Sequence, residues 1–335
     1  MSADKRMTAE APSPRPILEM ATAFQRSRVL LTAYELGVFT VINEEAKTSP
    51  EVAEAIEADL RATDRLMNAL AALGLLEKRE SRFANSAAAL QFLVKGKPGY
   101  LAGLAHTVHL WQTWSGLTQA VRTGTSPLGD EVNERGDAWL RAFIGAMHWR
   151  ARQMADGVVA LLDLGGVSRV LDVGGGSGAF SMAFVRASKG IHAVVFDLPN
   201  VVPLTRSYIE SGGYNAQIST AVGDYRKDDL PGGFDLVFLS AIVHANSADE
   251  NRRLLHKCAG ATSFGGRVVV LDQIINEDRT GPLHAAMFAL NMLVATGAGD
   301  TYTESEVRGW MQQAGFVRVT RTDTPFNNTL VIGLK

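Results

Sequence analysis

The stretch Val170-Leu171-Asp172-Val173-Gly174-Gly175-Gly176-Ser177-Gly178-Ala179-Phe180 starts as an apolar run, breaks into glycines and leads into Ser181-Met182-Ala183-Phe184-Val185. That order is a strand, a tight turn and a helix N-terminus. Glycine has no Cβ, so the turn can form and a ligand can approach the backbone closely. The helix start adds unpaired N–H groups and the positive end of a dipole. About twenty residues on, the apolar run Ala193-Val194-Val195-Phe196 ends in Asp197, where a carboxylate can accept hydrogen bonds from a ribose diol. The pattern is that of a nucleotide-type cofactor site.

Gly174, Gly176 and Ala179 also satisfy the dinucleotide pattern G-x-G-x-x-G/A. Two features favour S-adenosylmethionine (SAM). Asp172 stands just before the glycines, where an acid can face a methionine ammonium but would repel a pyrophosphate. The motif also lies in mid-chain, ahead of a distinctive series of strand ends.

Downstream, strand and helix patterns alternate, which predicts a mainly parallel sheet with helices on both faces. The expected strands are Arg169–Val173, His192–Asp197, Ala216–Val222, Phe234–Leu239, Gly266–Asp272, Val317–Thr324 and Asn328–Gly333. The expected helices are Gly178–Lys189, Val201–Gly212, Asp249–Ala261 and Glu304–Ala314. The last two strands are too close for a crossover helix and must form a hairpin. In such sheets the ligand lies outside the strand C-termini. Those ends read Asp172, Asp197, Gly223-Asp224-Tyr225, Ser240 to His244, and Asp272.

Upstream, apolar residues recur at helical spacing from Ile17 to about Ile42, with Gly37 as a helix end. Their apolar girth suits a deep core or a subunit interface. Thr48-Ser49-Pro50-Glu51 is a helix N-cap signal. The helices Glu51–Ala58 and Ala62–Gly74, followed by strands near Leu75–Lys78 and Arg82–Ala84, read as a winged helix-turn-helix. A DNA-reading version needs exposed basic and amide groups on its second helix. Arg61, Arg65 and Asn68 are diluted there by Asp64 and alanines, which favours a structural or dimerisation role. Between residues 99 and 164 the chain reads as helices, interrupted by a polar turn over Arg122–Pro127; a long helix begins at Asp137. Its aromatic and methionine side chains suit either core packing or the wall of a pocket for a flat apolar molecule.

These residues resemble the small-molecule O-methyltransferases, a family that includes caffeic acid and acetylserotonin O-methyltransferases and bacterial enzymes of polyketide and pigment metabolism. The resemblance is carried by Leu171–Gly178, Phe196-Asp197-Leu198-Pro199, Val222-Gly223-Asp224-Tyr225, Phe234-Asp235-Leu236, Ile242-Val243-His244 and Gln313-Ala314-Gly315-Phe316, and it covers nearly the whole chain. It implies an α/β, Rossmann-like SAM methyltransferase domain whose mixed seven-stranded sheet ends in an antiparallel hairpin, preceded by an α-helical winged-helix dimerisation domain. The implied organisation is a disordered start over 1–16, dimerisation over 17–98, a helical connector over 99–164 and a catalytic domain over 165–335.

The resemblance implies SAM as cofactor and S-adenosylhomocysteine as product. Gly174 and Gly176 would contact the cofactor through backbone, and Asp197 with Leu198 would hold the ribose end. Asp224 and Tyr225 would flank the adenine, with Ser240 nearby. His244 falls at the family's catalytic base. Of the two acids that commonly flank it, Asp272 matches the first; the second aligns with Thr301, leaving Asp300 as a substitute. Phe143, Met147 and Met292 match substrate-pocket positions, joined by Trp111, Trp114 and Phe288 as flat apolar candidates. The family acid after the histidine is Ala245 here, followed by Asn246; Ser247 and Ala248 replace the aromatic and acidic residues that usually come next. These departures keep open a SAM-binding relative of altered chemistry: C-methylation, hydroxylation or decarboxylation.

The rest of the composition narrows partners. A net charge of −2 gives no basic footprint for nucleic acid, which argues against a winged-helix regulator. The single cysteine, Cys258, cannot form an intrachain disulfide, so a reducing cytoplasm is expected. No apolar run is long enough to span a membrane, and the first sixteen residues, broken by Pro12, Pro14 and Pro16, lack a signal-peptide core. His, Asp and Glu do not group at metal-ligand spacings, so no metal is expected. The expected partners are a small hydroxylated metabolite and a second copy of the chain.

Overall fold

A computed structural model describes residues 12–127 and 136–335. Most of the start expected to be disordered lies outside the described residues; from Arg15 the chain is helical. The chain divides into two compact units between Val108 and His109.

In the first unit, the helix expected from Ile17 to Gly37 is two, and the apolar stretch after Gly37 is a third. α1 (Arg15–Thr22) and α2 (Phe24–Glu35) break at Ala23, and Gly37, at φ +74°, separates α2 from α3 (Val38–Ile42). The apolar girth divides accordingly. Leu31, Ala33, Val38, Phe39 and Ile42 are buried, whereas α1 buries nothing and leaves Ile17, Leu18 and Met20 71%, 62% and 79% exposed. β1 (Lys47–Thr48) leads into α4 (Ser49–Ala55), whose Thr48/Glu51 capping box satisfies orphan donors on both sides of the helix start. Asp59 caps α5 (Leu60–Ala72) by accepting from the Ala62 amide. β2 (Leu76–Arg79) and β3 (Arg82–Asn85) form the expected wing, and β1 adds a third strand against β3. α6 (Ala87–Phe92) closes the unit over a core of Phe39, Ile42, Met67, Leu70 and Phe83.

The boundary at Val108 falls inside α7 (Leu104–Ser115), beyond the expected break at 98. α8 (Leu117–Thr123) follows, and α9 (Asp137–Val159) is the expected long helix.

The second unit is built on β4 (Arg169–Val173), α10 (Ala179–Ala187), β5 (His192–Asp197), α11 (Val202–Gly212), β6 (Ile218–Val222), β7 (Phe234–Ser240), α12 (Ala248–Ala261) and β8 (Thr262–Asp272). β9 (Ile274–Ile275), α13 (Leu283–Ala295), β10 (Tyr302–Thr303), α14 (Glu304–Gln313), β11 (Arg318–Asp323) and β12 (Thr329–Leu334) complete it. The seven-stranded sheet runs β11-β12-β8-β7-β4-β5-β6; β12 is antiparallel to β8 and β11 to β12. Every other pairing in it is parallel.

Alternation along the strands fills two cores. Val170, Leu236, Phe238 and Val269 pack with α9 and α10 on one face. Leu171, Val237, Leu239 and Val268 pack with α12 and α14 on the other. With both faces covered, central strands read as continuous apolar runs. β4 lies between β5 and β7, so the glycine turn after it occupies the switch point at which such sheets take ligands. No helix among the described residues is long and apolar enough to cross a membrane.

Candidate active site

The glycine turn has the backbone its sequence demands. Gly174, Gly176 and Gly178 all have positive φ, which side chains rarely tolerate. A Cβ on Gly175 would come 2.6 Å from the Asp172 carboxyl, and one on Gly174 only 2.3 Å from Ile242. At Gly176 nothing lies closer than Ile144 at 3.7 Å, leaving open space over the backbone.

Two acids flank this turn. Asp197 accepts from the Gly176 and Leu198 amides, at 2.8 Å each, so the second strand end fixes the loop of the first. Asp172 accepts from the Ser181 hydroxyl at 2.7 Å, while its other carboxyl oxygen is buried without a partner. Burial pushes both carboxyls up to about 6. A buried anion with an orphaned oxygen suits a cationic ligand and disfavours a pyrophosphate. The residues therefore fit SAM, whose sulfonium and ammonium are both cations.

At the neighbouring strand ends, Asp224 pairs with Lys227 at 3.5 Å and accepts from the Arg226 amide. The Tyr225 hydroxyl donates to Asn246 Oδ1 at 3.0 Å. Ser240 ends β7 half-buried, and Ala241 at φ +57° turns the chain into a short 3₁₀ turn, Val243–Ala245.

That turn carries His244. Its Nδ1 lies 2.7 Å from Asp272 Oδ1, and its backbone N–H donates to Asp272 Oδ2 at 3.2 Å. Both side chains are largely buried, at 14% and 4% exposure. The carboxylate thus claims Nδ1 and leaves Nε2 as the accessible ring nitrogen. Phe288 on α13 meets the imidazole edge-on, with centroids 4.8 Å apart.

Asp300 does not join the ring. Its carboxylate pairs with Arg279 at 3.3 Å and accepts from the Thr301 amide, while its own amide donates to the His244 carbonyl at 3.0 Å. Thr301 is buried and donates to the Ala285 carbonyl. The Asp300 carboxylate is thus engaged by Arg279, while the carboxylate hydrogen-bonded to the imidazole is that of Asp272.

The pocket candidates fall in two groups. Phe143 stacks on Trp139 and belongs to a cluster with Ile144, Leu198 and Tyr208, along the glycine-turn side. Trp114 donates to Asn291 on α13 at 2.9 Å, which ties α7 to the helix bearing Phe288 and Met292. Trp111 and Met147 are half-buried on α7 and α9, and Met292 is buried.

Sequence reasoning missed several groups. His148 on α9 shares a 2.8 Å hydrogen bond with Ser177 of the glycine turn and stacks on Tyr208; burial, then the charge of Arg152, pushes its imidazole down to about 4. Thr205 on α11 donates to the Gly176 carbonyl at 2.5 Å. Helical patterning marks such residues only as core-facing, so no local signal would have found them. Among the described residues, no group of three or more His, Cys, Asp or Glu could hold a metal ion.

Comparison with known proteins shows the family. The O-methyltransferase domain family matches residues 122–317, and the O-methyltransferase dimerisation domain family matches residues 18–95. The 3-hydroxy-5-methyl-1-naphthoate 3-O-methyltransferase of Streptomyces sahachiroi is 35% identical, over 96% of this chain and 95% of its own. The tetracenomycin polyketide synthesis 8-O-methyl transferase TcmO of Streptomyces glaucescens is 32% identical, over 96% and 97%. Human N-acetylserotonin methyltransferase, solved in complex with SAM, superposes with a TM-score of 0.86 at 25% identity, over 98% and 99% of the two chains.

Proposed function

The chain belongs to the family of SAM-dependent small-molecule O-methyltransferases, and on that premise we propose that its acceptor is a flat bicyclic or polycyclic phenol whose proton is taken by His244. The observation that carries the proposal is the His244–Asp272 pair, with Nδ1 engaged at 2.7 Å.

When bound, SAM supplies an electrophilic methyl group on a sulfonium leaving group. The protein has to align the acceptor oxygen and deprotonate it. A phenol with a pKa near 10 is only about a thousandth ionised at pH 7, so a base within reach matters. With Nδ1–H donated to Asp272, His244 presents the lone pair of Nε2, and the carboxylate stabilises the imidazolium that forms. General-base assistance of this kind is worth about 10²–10⁴ in rate.

We assign the cofactor to the backbone of Gly174 and Gly176, with Asp197 and Leu198 at the ribose, Asp224, Tyr225 and Ser240 around the adenine, and Asp172 toward the ammonium. Trp111, Trp114, Phe143, Met147, Phe288 and Met292 form the acceptor walls in this reading. Their flat, apolar character supports an aromatic acceptor, as do the naphthoate and tetracenomycin enzymes among the relatives. We further assign residues 17–98 to subunit pairing, 99–164 to the acceptor side and 165–335 to the cofactor, in a cytoplasmic homodimer.

The test is incubation with trideuteromethyl SAM and a panel of hydroxynaphthoates and polycyclic phenols. The proposal expects S-adenosylhomocysteine release and the labelled methyl on oxygen, located by NMR. Label on carbon, or turnover without label transfer, would replace O-methylation with one of the altered chemistries.

A further inference from the structure

The turn that carries His244 is held by a buried polar network centred on Asn246, which has no exposed surface. Asn246 Oδ1 accepts from the Tyr225 hydroxyl at 3.0 Å. Its amide donates to Asn251 Oδ1 at 3.2 Å and to the Ile242 carbonyl at 3.4 Å. Its own carbonyl accepts from the Tyr302 hydroxyl at 2.6 Å. Asn251, only 1% exposed, donates in turn to the Val243 carbonyl at 2.9 Å. The Ile242 and Val243 carbonyls just before His244 are thus held by the Asn246 and Asn251 amides, and the Asn246 carbonyl just after it by Tyr302. The Arg226 side chain also hydrogen-bonds Tyr225; a fully bonded network of this kind in low dielectric rigidifies what it touches, and losing one member strands its partners.

The network reaches the cofactor loop from the other side. The space a Cβ would fill on Gly174 is occupied by Ile242 at 2.3 Å, with the Tyr225 ring at 3.8 Å. Ile242 leads into the turn bearing His244, and Tyr225 is the network's donor. Both therefore pack at the glycine that begins the cofactor turn.

We propose that Asn246 is a positioning residue that couples the cofactor pocket, through Tyr225, to the placement of the His244 imidazole. A ligand seated against Tyr225 fixes the phenol, the phenol fixes Asn246, and Asn246 fixes the turn. The proposal rests on Tyr225 being a cofactor contact and gives His244 its role as base from the reading above. It also explains a departure in the sequence: in place of an acid after the histidine, this chain has Ala245 and a buried amide.

The test labels histidine with ¹⁵N and follows the His244 imidazole signal, assigned by its loss in His244→Gln, with and without S-adenosylhomocysteine. In the native protein the signal shifts on addition of the ligand. In Tyr225→Phe, which keeps the ring and loses only the hydroxyl, the shift disappears although ligand affinity stays within about threefold. Turnover of Tyr225→Phe falls about 5- to 10-fold, the loss expected for one buried hydrogen bond. Combining it with Asn246→Ala costs no more than the worse single variant, because both break the same path. An unchanged ligand-induced shift in Tyr225→Phe, turnover within twofold of native, or multiplying losses in the double variant would overturn the coupling. Should Asn246→Ala fail to fold, the Tyr225→Phe signal and turnover decide alone. Full activity in His244→Gln would remove the base and leave the ligand-induced shift as a separate result.

Discussion

Asp172 is buried with a bare carboxyl oxygen, which is costly for a charged group. Its carboxyl and that of Asp197 are pushed up to about 6 from an ordinary 3.8. The folded protein therefore holds these protons to higher pH than the unfolded chain. Their contribution to stability is fully present below about 4 and is lost as pH rises through about 6. Asp172→Asn removes part of that slope. At pH 7.5 the ligand-free variant should be about 1–2 kcal/mol more stable in chemical denaturation, yet S-adenosylhomocysteine should bind at least tenfold more weakly by calorimetry. A variant that gains stability without losing affinity would separate Asp172 from the cofactor. Asp272→Asn keeps the shape at His244 and removes the charge that supports the imidazolium; turnover should fall about 10²-fold or more with cofactor affinity unchanged. Asp197, His244 and Asp272 were legible because each ends an apolar strand or begins the polar loop after one. Asp300 was not, because its fate depends on Arg279, which lies some twenty residues earlier in the chain and is brought near only by tertiary structure.

The loop before β10 packs against the backbone of the turn that carries His244. A Cβ on Gly299 would lie 2.4 Å from the His244 carbonyl and 2.6 Å from Thr296 Oγ1. Gly299→Ala clashes with both, so turnover should drop at least tenfold while the thermal shift given by S-adenosylhomocysteine is kept. Normal turnover would show that the turn tolerates displacement. At the other end of the chain, α1 exposes Ile17, Leu18 and Met20, where the match to a dimerisation domain begins, at residue 18. Charges at Ile17→Glu and Met20→Glu should convert dimer to monomer in sedimentation at micromolar concentration; an unchanged dimer would move the interface elsewhere. Helix and strand periods made most elements readable to within a few residues. α13 escaped because it is apolar on nearly every side, so no polar face announces its period. β1 is two residues long and exists only because β3 pairs with it.

The sheet is the scale at which the sequence spoke most clearly. The crossover patterns, the mid-chain glycine turn and the closing hairpin predict a seven-strand mixed sheet, and the strand order puts the turn at the switch point. The orphaned acid beside that turn chooses between cofactors that the glycine pattern alone leaves open. S-adenosylhomocysteine should therefore raise the melting temperature, and NAD should leave it unmoved; the reverse would return the protein to the dinucleotide reading. The acceptor is not legible at this scale, because the Trp, Phe and Met side chains assigned to it suit many flat molecules. Whether His244 deprotonates the acceptor hydroxyl is decided by His244→Gln. Single-turnover methyl transfer to a hydroxynaphthoate that the native enzyme accepts should be measured beside S-adenosylhomocysteine affinity. The rate should be lower by about 10²–10⁴ with affinity within threefold; a variant that transfers the methyl group at the native rate would remove His244 as the base.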